Sequence, residues 1–309
     1  MRIVLAIDGS KFSEAATQAV IAQNKPQETE VQLVRVIRIL SPQVPEMLGY
    51  YPGMEHSQDA QRKFGEAYLE KTAELLRSKG LRVTKAVEFG SPKSEIIDTA
   101  EKFHADLIVL GSHGETGLEQ FLLGSVSDAV LRHAHCSVEL VRIAPNAKDS
   151  KVPGESAESK VTKILLAIDD SKFSESATEF LIRQAWPGET QVRILCVVEP
   201  PPLLVAREMG GYDTAMEAVW EARTSQAQTL VAKTEAALRA KGLNVTTAVK
   251  QGEVKSEVLD AAEEWKADLI VLGSHGRTGL NRFLMGSVAD AVARHARCSV
   301  EVVRIRPDR

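Results

Sequence analysis

The chain of 309 residues is poor in cysteine, in aromatic residues and in net charge. Its three cysteines are far apart and odd in number, which excludes a disulfide framework and favours a reducing compartment. A net charge of −4 supplies no overall positive field, so we expect no nucleic-acid partner. The first apolar run, Ile3–Ile7, is too short for a signal-peptide core or a membrane span. We therefore expect a cytoplasmic protein that does not insert into a membrane.

The chain contains an internal repeat of domain size. Residues 3–15 read IVLAIDGSKFSEA and residues 164–176 read ILLAIDDSKFSES, while DLIVLGSHG occurs at both 106–114 and 268–276. A length of 309 residues is also typical of about two domains. The repeat therefore predicts two tandem domains of the same fold rather than a solenoid.

The segment between the two copies has the composition of an exposed linker. Residues 145–160, PNAKDSKVPGESAESK, combine proline, glycine, serine and charges without an apolar period. A helix is the alternative. We expect one domain over residues 1–144, a linker over 145–160 and a second domain over 161–309.

Strand and helix patterns alternate within each copy. In the first copy, helical patterns begin near Ser13, cover Gln58–Lys79, and begin again at Ser91-Pro92 and at Gly124-Ser125. The predicted strands between them are Ile3–Ile7, Val31–Ile39, Leu81–Phe89, Leu107–Leu110 and Ser137–Ile143. This order predicts an α/β fold, a parallel sheet with helices on both faces, which binds ligands beyond the carboxyl ends of its strands.

Glycines follow the fourth predicted strand and precede the last helix. Gly111-Ser112-His113-Gly114 and Gly124-Ser125 recur in the second copy as residues 273–276 and 286–287. Glycine lets a backbone approach a phosphate closely, and a helix N-terminus offers N–H groups to an anion. The pattern favours a phosphate site. The alternative is that the glycines only form tight turns and the serines only cap helices.

Asp8 follows the first strand, and Asp169 repeats it. Neither the P-loop sequence G-x-x-x-x-G-K-[ST] nor the dinucleotide fingerprint G-x-G-x-x-G is present. A carboxylate at the position of Asp8 repels phosphate but can accept hydrogen bonds from ribose hydroxyls. Its alternative role is to form the turn or cap the following helix.

These residues resemble the nucleotide motif of the universal stress proteins, G-x2-G-x9-G-[ST]. The motif occurs in both copies, at Gly111, Gly114, Gly124 and Ser125 and at Gly273, Gly276, Gly286 and Ser287, and the similarity extends over both copies nearly end to end. The resemblance implies a Rossmann-like domain with strand order 3-2-1-4-5. It implies bound ATP, with ADP or AMP as alternatives, and Mg²⁺ held mainly through the phosphates rather than by protein side chains. It also implies that the two fifth strands pair across the copies as an internal pseudo-dimer, and it leaves a homodimer of chains open.

The resemblance also implies which residues line the two sites. In the first copy they are Ala6, Ile7, Asp8, Val36, Leu110, Gly111, His113, Gly114, Gly124, Ser125, Val126 and Ser127. In the second copy they are Ala167, Ile168, Asp169, Val197, Leu272, Gly273, His275, Gly276, Arg277, Gly286, Ser287, Val288 and Ala289.

The two copies differ at two of these places. Glu115 stands where the second copy has Arg277, and Ala289 replaces Ser127. An acidic side chain near a polyanion weakens its binding unless solvent screens it. We expect two sites of unequal affinity, with the second copy the tighter.

The resemblance favours a nucleotide-dependent regulatory protein of the stress response with an unidentified protein partner. Phosphoryl transfer needs a positioned base, a metal-binding carboxylate and a cation near the γ-phosphate. His113, His275, Asp128 and Asp290 are the candidates, but no complete catalytic set is visible, so we assign no catalytic residue. A slow ATPase and a scaffold that binds no nucleotide remain as alternatives.

Overall fold

The computed structural model describes residues 1–23, 28–38, 54–114, 123–143, 161–200, 212–276 and 285–305. The predicted linker, Glu115 and Arg277 lie outside these residues. The chain divides into two compact units, Met1–Val141 and Arg142–Arg309, which are described in turn.

Strands and helices alternate in the first unit. Its strands are β1 (Arg2–Ala6), β2 (Glu30–Ile37), β3 (Arg82–Phe89), β4 (Leu107–Gly111) and β5 (Ser137–Val141). Its described helices are α1 (Lys11–Gln23), α2 (Met54–Ser78), α3 (Pro92–Lys102) and α4 (Ser125–His133).

The second unit repeats this order. Its strands are β6 (Lys163–Ile168), β7 (Gln191–Val198), β8 (Asn244–Gln251), β9 (Leu269–Gly273) and β10 (Ser299–Val303). Its described helices are α5 (Lys172–Arg183), α6 (Tyr212–Arg239), α7 (Val254–Trp265) and α8 (Ser287–His295). None of the helices in the described ranges is long and apolar enough to cross a membrane.

The strands within each unit form a parallel sheet. The order is β3-β2-β1-β4-β5 in the first unit and β8-β7-β6-β9-β10 in the second. In the first unit α1 contacts α2 and α3 contacts α4, so the helices cover the two faces as two pairs. Every residue of β4 and β5 is buried, as expected for strands covered on both faces. The predicted α/β fold and strand order are confirmed.

The first helix begins two residues earlier than the sequence pattern indicates. It starts at Lys11 because Ser10 caps it, and the Ser13 N–H group donates to Ser10 Oγ at 3.2 Å. In the second unit, Ser171 Oγ accepts from the Ser174 N–H group at the same distance. The first turn of each helix therefore lies directly against the loop that follows the first strand.

The apolar stripe of α2 is narrower than its sequence suggests. Leu69 and Leu76 are fully buried, but 69 % of Phe64 and 38 % of Leu75 remain exposed. Spacing alone places all four side chains on one side of the helix. Only the strands beneath decide how much of that side is covered.

A carboxyl group is buried between α1 and β5. Glu139 is 1 % exposed, and Gln23 Nε2 donates to its Oε1 at 3.0 Å. Burial raises the pKa of Glu139 to about 7, and the hydrogen bond from Gln23 opposes this shift. In the second unit, Glu301 and Gln184 occupy the equivalent positions and are also buried. A buried glutamate and a buried glutamine at these positions are thus a repeated feature of the fold.

The raised pKa of Glu139 makes folding less favourable as the pH rises. Between its unfolded pKa near 4.5 and its folded pKa near 7, the folded protein holds more protons than the unfolded chain, so stability falls with pH. We expect Glu139→Gln to raise the free energy of unfolding by up to about 3 kcal/mol at pH 8 and to change it little at pH 4.5. Urea unfolding followed by circular dichroism measures both values.

The exposed Glu66→Gln is the matched control and should show no such pH-dependent difference. An equal effect of Glu139→Gln at both pH values would contradict the expectation.

Candidate functional site

The candidate site lies where β1 and β4 end. The two strands are neighbours in parallel register, with Ala6 opposite Leu110, so the loops that follow them leave the sheet side by side. A Cβ atom built on Gly114 would lie 2.8 Å from Asp8 Oδ2. The same construction on Gly276 gives 2.7 Å to Asp169 Oδ2. Each unit therefore brings its predicted carboxylate against its predicted glycine loop.

The carboxylate also shapes its own turn. The Ser10 N–H group donates to Asp8 Oδ1 at 2.9 Å, and the Ser171 N–H group donates to Asp169 Oδ1 at 3.2 Å. Both aspartates are partly exposed. The turn-forming role and a ligand-binding role are compatible, because one oxygen fixes the side chain and the carboxylate still reaches solvent.

The N-terminus of α4 presents backbone N–H groups to this edge. Gly124 is the N-cap, and no side chain in the described part of the chain caps the helix. The Asp128 N–H group donates to Gly124 O at 2.8 Å. The N–H groups of Ser125, Val126 and Ser127 precede that bond, so the helix itself supplies them with no acceptor. Helix α8 repeats the arrangement from Gly286, with residues 287–289 in these places. Such a terminus binds anions.

The glycine loop and the helix are tied together by hydrogen bonds. The Gly124 N–H group donates to Ser112 O at 2.9 Å, and the Ser127 hydroxyl donates to Gly111 O at 2.8 Å. In the second unit the Gly286 N–H group donates to Ser274 O at 2.8 Å. The buried Ser127 hydroxyl thus supports the loop, and Ala289 leaves the second unit without that bond.

The histidines of the loops pack beneath them. The His113 ring is tilted on Phe12 with 5.2 Å between centroids, and the His275 ring is tilted on Phe173 at 4.9 Å. Each Nδ1 lies 3.1 Å from the hydroxyl of the preceding serine. Burial, and to a smaller extent the nearby Arg304, lower the pKa of His275 and so favour the neutral form of its ring. These contacts brace the loop against the first helix of each unit.

The same phenylalanines explain the first glycine of each motif. A Cβ atom on Gly111 would lie 2.5 Å from the Phe12 Cβ and 2.9 Å from its carbonyl carbon. On Gly273 the distances to the same atoms of Phe173 are 2.7 and 2.8 Å. The close approach of a helix, rather than of a phosphate, requires glycine here. Sequence reasoning missed both phenylalanines, although the repeated KFSE was a signal.

The other predicted residues lie at the same edge. The Ile7 N–H group donates to Val34 O at 3.0 Å, which continues the pairing of β1 and β2 past Ala6. The remaining apolar positions are buried or partly buried at strand ends; they are Val36, Leu110, Ala167, Ile168, Val197 and Leu272. They form apolar surroundings next to the polar loop. Glu115 and Arg277 lie outside the described residues, so the charge difference between the copies stays a prediction.

Comparison with known proteins relates both units to one family. The profile of the universal stress protein family matches residues 1–142 and 160–304. The universal stress protein MJ0531 of Methanocaldococcus jannaschii is 36 % identical over 141 residues, which are 46 % of this chain and 81 % of that protein. The universal stress protein Rv2005c of Mycobacterium tuberculosis is 31 % identical over 225 residues, which are 72 % of this chain and 70 % of that protein.

A solved structure resembles the chain over its whole length. The crystal structure of a universal stress protein from Archaeoglobus fulgidus matches with a TM-score of 0.61 and 22 % sequence identity. The match covers 100 % of this chain and 97 % of the other. This likeness concerns the fold.

The two glycines of the first loop should respond differently to alanine. The Cβ of Gly111→Ala would meet the backbone and Cβ of Phe12, so we expect a loss of about 1–3 kcal/mol of stability. Among the described residues, the Cβ of Gly114→Ala would meet only the carboxylate of Asp8, which can turn aside, so we expect a loss below about 1 kcal/mol. Urea unfolding measures both.

The control is Gly188→Ala, where a Cβ atom would meet nothing within 4 Å. Equal losses at Gly111 and Gly114 would contradict the packing explanation.

Proposed function

Because the chain belongs to the universal stress protein family, we propose that each unit binds ATP at the carboxyl edge of its sheet. We further propose that the protein acts as a nucleotide-dependent regulator in the stress response. The observation that carries the proposal is the pairing, in each unit, of an open helix N-terminus with a carboxylate held beside the glycine loop.

The start of α4 and the Asp8 turn suit different parts of a nucleotide. The N–H groups at the start of α4, with the positive end of the helix dipole, favour phosphates. Asp8 repels phosphate and can accept hydrogen bonds from ribose hydroxyls. The separation of these preferences gives a bound nucleotide one orientation. Mg²⁺ would be held mainly through the phosphates.

The candidates for catalysis are engaged in structural contacts. The rings of His113 and His275 pack on phenylalanines, and the carboxylates of Asp128 and Asp290 pair with Arg132 and Arg294 at 3.2 and 3.1 Å. These contacts favour regulation over turnover. We expect ATP hydrolysis well below the usual enzyme range, whose lower edge is about 1 s⁻¹.

In this proposal a regulatory protein partner transmits the nucleotide state. A bound nucleotide would stabilise the loops at the site, and the partner would bind the resulting surface. The pairing of the two fifth strands and a homodimer of chains stay predictions, as does a cytoplasmic location.

Charge at the helix N-terminus tests the binding sites. Ser125 and Ser287 are exposed first residues of α4 and α8. An aspartate there suits the helix dipole, by about 0.3–1 kcal/mol, but repels phosphate. In calorimetry with Mg-ATP we expect about two nucleotides per wild-type chain. Ser125→Asp and Ser287→Asp should each bind one, and the double variant none.

The neutral variants Ser125→Asn and Ser287→Asn are the matched controls and should retain binding. The same variants test whether the two sites differ in affinity for Mg-ATP. The Ser125→Asp chain reports the affinity of the second unit, and the Ser287→Asp chain reports that of the first. A wild-type chain that neither binds Mg-ATP nor releases adenine nucleotide when denatured would contradict the proposal. That result would favour the alternative of a scaffold protein that binds no nucleotide. An ATP hydrolysis rate above about 1 s⁻¹ would favour the alternative that the protein is an ATPase.

A further inference from the structure

The end strand of each unit's sheet directs a row of backbone groups away from the sheet. This strand is β3 in the first unit and β8 in the second. The N–H groups of Gly90 and Gly252, which follow these strands, donate to Ile37 O at 3.0 Å and to Val198 O at 3.2 Å. Because the direction of backbone groups alternates along a strand, the odd-numbered residues of β3 and β8 point outward. Such an edge can pair with a strand of another chain.

Two arginines of α2 cover outward carbonyl groups of β3. The Arg77 guanidinium donates to Val83 O at 3.5 Å, and the Arg62 guanidinium donates to Val87 O at 3.2 Å. The Arg62 guanidinium carbon also lies 4.8 Å from the centre of the Phe89 ring, which is within cation–π range. Outward carbonyl groups near both ends of β3 are therefore occupied, and this hinders pairing with another strand.

The outward residue between these two contacts carries a charge. Lys85 is exposed and forms an ion pair with Glu70, which also pairs with Arg77 at 2.7 Å. A lysine on an edge strand is a common protection against pairing with another chain. Two copies of β3 that paired around Lys85 would place this lysine directly opposite itself, which is unfavourable. The edge of the first unit is therefore protected along its length.

The second unit keeps one of the two arginine contacts. Arg239 of α6 repeats Arg77, and its guanidinium donates to Val245 O at 3.0 Å. By the repeat, Thr224 stands in the place of Arg62. A threonine side chain is too short to reach across to the strand as the arginine does.

The middle of β8 has also lost its charge. By the repeat, Thr247 stands in the place of Lys85, and Ala232 in the place of Glu70. In the part of the chain that the structure describes, no side chain donates to the carbonyl oxygen of Thr247 or of Val249. These two neighbouring outward residues leave β8 open to another strand.

The charges beside the open edge favour an uncharged strand as its partner. The first six residues of β8, NVTTAV, carry no charge. Arg239 pairs with Glu235 at 2.7 Å, and Lys250 pairs with Glu257 at 3.3 Å and with Glu264 at 3.4 Å. Because these charges are already paired within the unit, a strongly charged partner strand gains little. A second copy of β8 is itself an uncharged strand rich in β-branched residues, which suit sheets.

We propose that β8 is a dimerisation edge, at which Thr247 and Val249 of one chain pair antiparallel with Val249 and Thr247 of a second copy. Each opposed pair exchanges both of its N–H···O bonds, and Ala248 lies at the two-fold axis between the chains. A register centred on Thr247 instead needs the carbonyl oxygen of Val245, which Arg239 occupies. The inference does not depend on nucleotide binding.

This register brings no like charges directly opposite each other. Lys250 of one chain faces Thr246 of the second copy, and threonine faces valine at the hydrogen-bonded positions. The same surface is used on both chains, so the pairing closes at two copies. The product is a dimer rather than a filament.

The test measures the mass of the full chain by sedimentation equilibrium over a wide range of protein concentration. We expect a reversible dimer of the wild-type chain. The double variant Thr224→Arg with Thr247→Lys gives β8 the side chains that protect β3. It should raise the dissociation constant of the dimer about tenfold or more, because the carbonyl group of Val249 is covered and the edge is charged.

A second variant acts on the backbone alone. Val249→Pro removes an outward N–H group that the sheet of its own unit does not use, so it should also raise the dissociation constant. The matched controls are Thr229→Lys, at an exposed position of α6, and Val87→Pro, the equivalent change in β3. Both controls should leave the dissociation constant unchanged. The melting temperature of each variant shows whether it still folds.

Amide hydrogen exchange gives an independent readout. The amides of β8 should exchange more slowly in concentrated than in dilute wild-type protein, whereas those of β3 should not change. A chain that is monomeric at every concentration overturns the inference. A dimer that both β8 variants leave intact also overturns it, because such a dimer uses another surface.

Discussion

The close approach between the first helical turn and the loop after the fourth strand is the contact on which the rest of the site depends. It exists because β1 and β4 are parallel neighbours whose carboxyl ends coincide. Phe12 packs on Gly111 so closely that no side chain fits there, and the carboxylate of Asp8 lies against Gly114. With the loop held from below, its Ser112 carbonyl can accept from Gly124 and set the start of α4.

The two units share the contacts that hold the loop, but they differ in some of the surrounding residues. The strand order, the Phe–His contacts and the open helix N-termini occur in both units. Tyr68 and Arg35 occur only in the first. Most side chains that directly fix the loop geometry have therefore stayed alike, although Ala289 replaces Ser127. Some residues one layer further from the loop, such as Arg35 and Tyr68, have diverged.

Much of the fold and of the candidate site could be predicted from the sequence. The buried apolar runs, the Pro92 and Gly124 helix starts and the alternation of elements predicted the sheet, and the repeat predicted two units. The reason for the first glycine was missed, because Phe12 is almost a hundred residues from Gly111 and nothing local connects them. The exposure of Phe64 was missed for the same kind of reason.

The sequence by itself determined the α/β class, the duplication and the residue types at the strand ends, because these depend on local patterns and on repetition along the chain. Only the tertiary structure decided what each of those residues contacts. It assigned the Gly111 position to helix packing and the Ser127 hydroxyl to a loop carbonyl. The physical reason is that contacts between distant segments follow from strand register and helix placement, which no short stretch of sequence encodes.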